Sequence, residues 1–260
     1  SNLDGTIAST TYANTTTGVS VVEYTGVTGG TSVGHGLSTA PDFVVTWPTD
    51  ASLGYSNLNG VVYTSPTGVN QFLNMTNSNG AGASTNYWGT AVNDTVFGVK
   101  DSGDANNNLN GMPTVAYCFA SVPGYSSIGS YTGNGNVDGP FIYTGFTPAF
   151  VMVKANSTSG NWVIMDSTMN PNNVVHNRLV PNTANSEGTS TSMSENFLSN
   201  GFKMVNSDAD LNSNNVEYVY MAFASVPFGG SNVNEAPAAL TRPQATPVAP
   251  GPLETVSNSL

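Results

Sequence analysis

Two short stretches hold the densest potential chemistry in the chain. They are Lys100-Asp101-Ser102-Gly103-Asp104-Ala105-Asn106-Asn107 and Asn206-Ser207-Asp208-Ala209-Asp210-Leu211-Asn212. Carboxylates and amides at alternating positions can turn hard oxygen ligands toward one point. Asp101, Asp104, Asp208 and Asp210 are therefore candidate Ca²⁺ ligands. The competing reading is mechanical, because Asp and Asn are also the residues of turns that join strands. Neither stretch has the central glycine and closing glutamate of a helix-loop-helix calcium site, and the turn is the stronger of the two readings. A second constellation is Tyr87-Trp88, which follows Thr85-Asn86 in a Gly/Ser/Asn stretch. Exposed aromatic rings beside amides can stack on the apolar faces of sugars, so Tyr87 and Trp88 are candidate glycan-binding residues. The alternative is a loop anchor packed on the fold.

Catalysis finds little support. The two histidines are His35, between glycines, and His176, near Arg178 in a polar segment. The chain contains no Gly-x-Ser-x-Gly elbow, no His-Glu-x-x-His and no phosphate-cradling loop. Glycoside hydrolysis needs two carboxylates at a set separation, but the acids here are spread through loops. The single cysteine, Cys118, excludes an intrachain disulfide. It lies in Thr-Val-Ala-Tyr-Cys-Phe-Ala, which reads as a buried strand.

The elements that position these residues are strands. Val19–Tyr24, Phe43–Trp47, Val61–Tyr63, Val115–Phe119, Phe141–Tyr143, Phe150–Val153, Trp162–Met165 and Tyr218–Phe223 are rich in β-branched or aromatic residues. Gly, Asn, Ser or Pro clusters bound nearly all of them. No stretch has sustained helical periodicity, and Ser194–Leu198 is read as one short helical turn. Trp47 and Trp162 sit within apolar strands and read as core or sheet-face residues.

These strands recur. Phe-Ala-Ser-Val-Pro occurs at Phe119–Pro123 and again at Phe223–Pro227. Tyr24-Thr25-Gly26 matches Tyr131-Thr132-Gly133, and Pro41–Val45 matches Pro148–Met152. Phe97 matches Phe202, Cys118 matches Ala222, and the acidic stretches fall in equivalent places. The expectation is an all-β chain of two tandem antiparallel β-sandwich, jelly-roll-like units. It assigns 1–17 to an N-terminal arm, 18–124 and 125–228 to the two sandwich copies, and 229–260 to a Pro/Ala-rich tail.

Composition narrows the partners. Charged residues make up 8% of the 260-residue chain, against about 25% in ordinary domains. Hydrophobic residues at 38% and aromatics at 10% argue against disorder. With five Lys and Arg and a net charge of −11, the chain lacks the basic footprint that nucleic acid or anionic lipid requires. No apolar run is long enough for a membrane-spanning helix, and no signal-peptide pattern is present. Ser1 is expected to follow a cleavage or to lie inside a longer product.

Several segments together carry a family resemblance. They include Leu3-Asp4-Gly5-Thr6-Ile7, Ala13–Gly18, Gly34-His35-Gly36-Leu37, Ala116–Ala120, Gly129–Gly135, Asp138-Gly139-Pro140-Phe141, Tyr143–Phe146, Phe197–Lys203 and Met221–Ala224. The chain resembles, over about residues 1–230, an uncharacterised domain of tailed-phage virion proteins that is common in marine bacteriophages. The resemblance supplies no catalytic residues. It implies a non-enzymatic virion structural protein, a tail-fibre or capsid-associated decoration component. Such a protein assembles with other virion proteins and with copies of itself as a homo-oligomer, and it could contact host-surface glycan. The alternatives are a carbohydrate- or receptor-binding module and, further off, a polysaccharide-degrading enzyme. No cofactor is expected beyond the possible Ca²⁺.

Overall fold

The computed structural model of the chain describes residues 1–53, 58–89, 91–100 and 107–229. Strands of the first half are β1 (Ser9–Asn14), β2 (Val19–Thr25), β3 (Ser32–Gly34), β4 (Phe43–Pro48), β5 (Val61–Thr64), β6 (Gln71–Asn74), β7 (Gly82–Ala83), β8 (Val96–Gly98) and β9 (Pro113–Phe119). Those of the second half are β10 (Ser126–Thr132), β11 (Phe141–Tyr143), β12 (Pro148–Ala155), β13 (Trp162–Asp166), β14 (Asn177–Arg178), β15 (Gly188–Thr189), β16 (Glu195–Leu198), β17 (Gly201–Met204) and β18 (Glu217–Ala224). The chain is all-β and built of antiparallel sheets that pack as sandwiches, as its short, turn-bounded apolar runs predict.

The main sheet of the first half has the order β1-β2-β9-β4-β5-β6-β7, and that of the second half has β10-β18-β12-β13. Four strands occupy the same places in both, and their registers agree position for position. Tyr24 pairs with Thr114 and Val45 with Tyr117; their counterparts Tyr131 and Met152 pair with Tyr218 and Met221. Alternation along these strands sends every second side chain inward. In the first half Val22, Tyr24, Val44, Tyr63, Ala116 and Cys118 form one core with Trp88, Phe97 and Val99, which lie beyond the sheet. In the second half Tyr131, Val151, Val153, Met165, Tyr218 and Tyr220 form another with Phe197, Phe202 and Met204. The covering layers are the β3-β8 pair and the β11-β17-β16 sheet.

Equivalent polar residues tie each half. The Tyr24 hydroxyl donates to the Asn107 carbonyl, and that of Tyr131 donates to the Leu211 carbonyl at 2.6 Å. Asn108 and Asn212, both fully buried, clamp the turns after β2 and after β10 through the backbone of Val27 and of Asn134. These turns press against the loops so closely that Cβ atoms at Gly26 and Gly133 would lie 2.1 and 2.2 Å from the carbonyls of Leu109 and Ser213.

A third core joins the halves. The outer faces of the two main sheets pack together through Phe43, Val45, Val62 and Leu73 on one side and Ile128, Met152, Trp162, Val219 and Met221 on the other. Phe119 and Phe223, the matching phenylalanines of the repeated pentapeptide, meet edge to face at 6.1 Å. Residues Ser1–Gly229 thus form one compact unit, whose two sandwiches stand back to back.

Three expectations change. Residues 1–17 are not a free arm, because β1 pairs with β2 along its whole length and Ile7 is buried, bridged to Val33. Ser194–Leu198 is not a helical turn. Glu195–Leu198 forms a hairpin with β17 because Glu195 and Phe197 alternate inward with period two. The division at 124/125 separates two cores but not two independent bodies. The Pro-rich tail, beyond Gly229, lies outside the described residues.

Candidate functional site

The proposed glycan platform at Tyr87 and Trp88 is corrected. Trp88 is 0% exposed, packed edge to face on Tyr63 at 5.8 Å. Tyr87 lies on Phe72 with ring centroids 4.1 Å apart, and its carbonyl accepts from Asn107 Nδ2 at 2.6 Å. The first core lacks a broad covering sheet, so this loop supplies its lid, and burial of an indole outweighs anything it would gain at the surface.

The acidic stretches act as turns where they are described. Asp208 Oδ1 accepts from the Asp210 amide at 2.9 Å, and burial raises the Asp208 carboxyl above its ordinary range. The Asp210 carboxylate is engaged by the Asn161 amide at 2.7 Å and its side-chain nitrogen at 2.9 Å. Among the described residues no three His, Cys, Asp or Glu side chains gather as a metal cage. Asp210 thus ties the loop to the β12–β13 turn, while Asp208 holds the turn within the loop. Asp101 and Asp104 lie outside the described residues.

The other reactive types are absorbed by the fold. His35 is buried. Its Nδ1 accepts from the Leu37 amide at 3.0 Å, which leaves Nε2 to donate to the Asn93 carbonyl at 2.9 Å. Burial lowers its pKa, so it remains a neutral strap across the loop. Cys118 is buried in the first core, where desolvation pushes its thiol far up. Two surface clefts each contain a single carboxylate. Glu23 lines one of about 630 Å³, and Glu217, beside Gln71, Asn156 and Ser159, lines one of about 580 Å³.

The second half holds two buried titratable groups that sequence reasoning missed. Lys154 projects between the halves, and its Nζ donates to the carbonyls of Asn79 (2.7 Å), Ala155 (2.9 Å) and Ser78 (3.4 Å). Burial lowers its pKa to about 8 against the pull of Asp210. Around it Gly160 donates to Ser78, Ala81 to Asn156, and Trp162 Nε1 to the Asn74 carbonyl. Together these bonds fasten the 74–81 segment to the β12–β13 hairpin. Glu195 is buried, and neither of its oxygens has a hydrogen-bond partner among the described residues; desolvation raises it to about 8, so it is neutral at pH 7.

What remains accessible is a sheet face. On the outer side of the seven-stranded sheet, Tyr12, Val21, Tyr117 and Val45 stand in one cross-strand row. Thr10, Glu23, Val115 and Trp47 form the next row. Val45 lies beneath the second half, whereas Tyr12, Tyr117 and Trp47 are 63%, 43% and 39% exposed. The row is legible once the register is known, since each residue is the outward member of an alternating strand. A smaller aromatic pair, Phe141 and Tyr143, faces outward from β11 beside Lys203, which is paired to Asp138 at 2.8 Å. Among the described residues no helix is long and apolar enough to cross a membrane.

A family model, described as a domain of unknown function (DUF7483), matches residues 1–227. The chain belongs to that family. No curated protein and no solved structure matches it.

Proposed function

We propose that this member of the DUF7483 family is a non-enzymatic structural component of a tailed-phage virion, a tail-fibre or capsid-associated decoration protein that works by docking to protein surfaces of the particle. The observation that carries the reading is the open face of Tyr12, Val21, Trp47, Val115 and Tyr117, because a contiguous apolar patch on an otherwise polar molecule marks an interaction site. The sequence resemblance to virion proteins supports the same reading. So does the use of His35, Asp208 and Asp210 in structural hydrogen bonds and of Cys118 in core packing. Mass spectrometry of gradient-purified particles of a phage carrying this sequence tests it. Peptides of this chain are expected at stoichiometric abundance in the particle fraction, and confinement to the soluble lysate would overturn the proposal.

A second reading, contact with host-surface glycan, is favoured by Phe141 and Tyr143. The two rings stand two residues apart on one side of β11, next to hydrogen-bonding groups of Lys203 and Asp138. The glycan site is then on the second half rather than at Tyr87 and Trp88. Binding on a glycan array that disappears in the double variant Phe141→Ala/Tyr143→Ala is expected. Silence of the wild-type chain across the array would remove this reading.

A further inference from the structure

We infer that the occupant of the open face is the same face of a second copy of this chain, in a two-fold sheet-on-sheet pair. The inference rests on the docking role proposed above and names the partner at that surface.

The first support is continuity. The rows that hold Tyr12, Val21 and Tyr117, or Val19 and Phe119, run without a break into Val45 and Phe43. Those last two residues are already buried in a sheet-on-sheet contact. The open patch is therefore the uncovered remainder of an interface that the molecule has formed with itself.

The second support is what covers the formed part. It is a sheet with the same four-strand order and the same register. The residues it uses, Ile128, Met152 and Met221, occupy the places of Val21, Val45 and Tyr117. This kind of surface thus has a demonstrated complement, and that complement is a surface of its own kind. In each molecule the second half has already committed its outer face to the first half. The one face of this type left on a second copy is the open one, and a patch that pairs with itself generates a two-fold axis.

Charge makes a second copy and a basic partner distinguishable by their response to salt. Glu23 is the one acidic residue in these rows, and no lysine or arginine stands there. Two copies each carrying −11 repel at long range, so salt should tighten the pair by screening. A basic partner drawn to an acidic chain would instead be released by salt. With strands about 4.8 Å apart and same-face residues about 6.8 Å apart, the patch covers a few hundred Å². That size lies well below the roughly 800 Å² per partner of a standard interface, and a weak, reversible dimer follows.

Sedimentation velocity on the full 260-residue chain, over a wide concentration range at low and high NaCl, tests this. The expected result is a monomer–dimer equilibrium that tightens with salt. It should weaken at least tenfold in Tyr117→Lys but be unchanged in Tyr143→Lys. Circular dichroism melts confirm that both variants fold, and Trp47→Lys repeats the test at a second position on the face. A dimer that survives both Tyr117→Lys and Trp47→Lys would overturn the inference. So would a wild-type chain that stays monomeric at every concentration and salt. In that monomeric case, loss of Tyr117→Lys from purified particles would leave the docking role standing with a different occupant. Normal incorporation of the variant would remove the docking role as well.

Discussion

The two halves carry the same four strands in the same register, yet the same sheet face meets two fates. In the second half the outer positions Ile128, Met152, Val219 and Met221 are buried against the first half. In the first half their counterparts Val21, Val115 and Tyr117 are half-buried or exposed, and only Val45 is covered. At one matched position the side chain follows the difference, since a flexible Met221 is buried where the open face carries Tyr117. Trp47 and Lys154 hold equivalent positions, one on the surface and the other sealed by three carbonyls. One architecture thus serves as its own support on one side and presents a surface on the other. The first half is extended by β1 at one edge and by β6 and β7 at the other, so its sheet is wider than the sheet that covers it.

The largest expected break in this comparison is Trp162→Ala. Trp162 packs on Phe43 at 6.4 Å and donates to the Asn74 carbonyl, so its removal should cost about 3–5 kcal/mol in urea unfolding. Trp47→Ala, on the open face, should cost no more than about 1 kcal/mol. Met221→Ala and Tyr117→Ala give the matched pair at a single register position. About 2–5 kcal/mol is expected for the first and under about 1 kcal/mol for the second; equal costs would mean that the closed face is no better packed than the open one. Where the halves agree, the effects should agree too. Tyr24→Phe and Tyr131→Phe each leave a buried carbonyl unpaired, and each should cost about 1–3 kcal/mol by the same denaturation assay.

The comparison is sharpened last by slopes against pH from two buried groups of the second half, Glu195 and Lys154. Glu195 is held at about 8 against an ordinary 4.5. The folded chain therefore binds the extra proton between these values, and stability falls as pH rises from about 4.5 through 8. Glu195→Gln should flatten that fall and be the more stable chain above pH 8. For Lys154 the sign is reversed. Its folded value of about 8 lies below 10.5, so the unfolded chain binds more protons and stability rises across pH 8–10.5. Lys154→Met should abolish the rise, read as melting temperature against pH.

Much of the fold is legible in the sequence. Eight strands were read from β-branched and aromatic runs, and each coincides with a strand. The correspondence of Cys118 with Ala222 marks a buried strand position, and both residues are buried. The candidate site was far less legible. Tyr87-Trp88 looked exposed because Gly, Ser and Asn surround it, but local composition does not report that a core lacks a lid. Residues 1–17 looked like an arm because Thr, Ser and Asn dominate them, yet an edge strand needs only one inward residue in two. Lys154 and Glu195 gave no signal, since a lone charge in a strand reads as a solvent position until a second layer covers it.

What the sequence by itself determined is the all-β character, eight of the strands and the correspondence of equivalent positions, because these depend on local composition and on a repeat visible in the letters. Which outer face is closed and which is open was decided only by the tertiary structure. Both faces carry apolar residues at the same register, and burial there depends on the arrival of a sheet from about a hundred residues away along the chain. That single packing event buries Lys154, joins Phe119 to Phe223, and leaves Tyr12, Trp47 and Tyr117 facing outward.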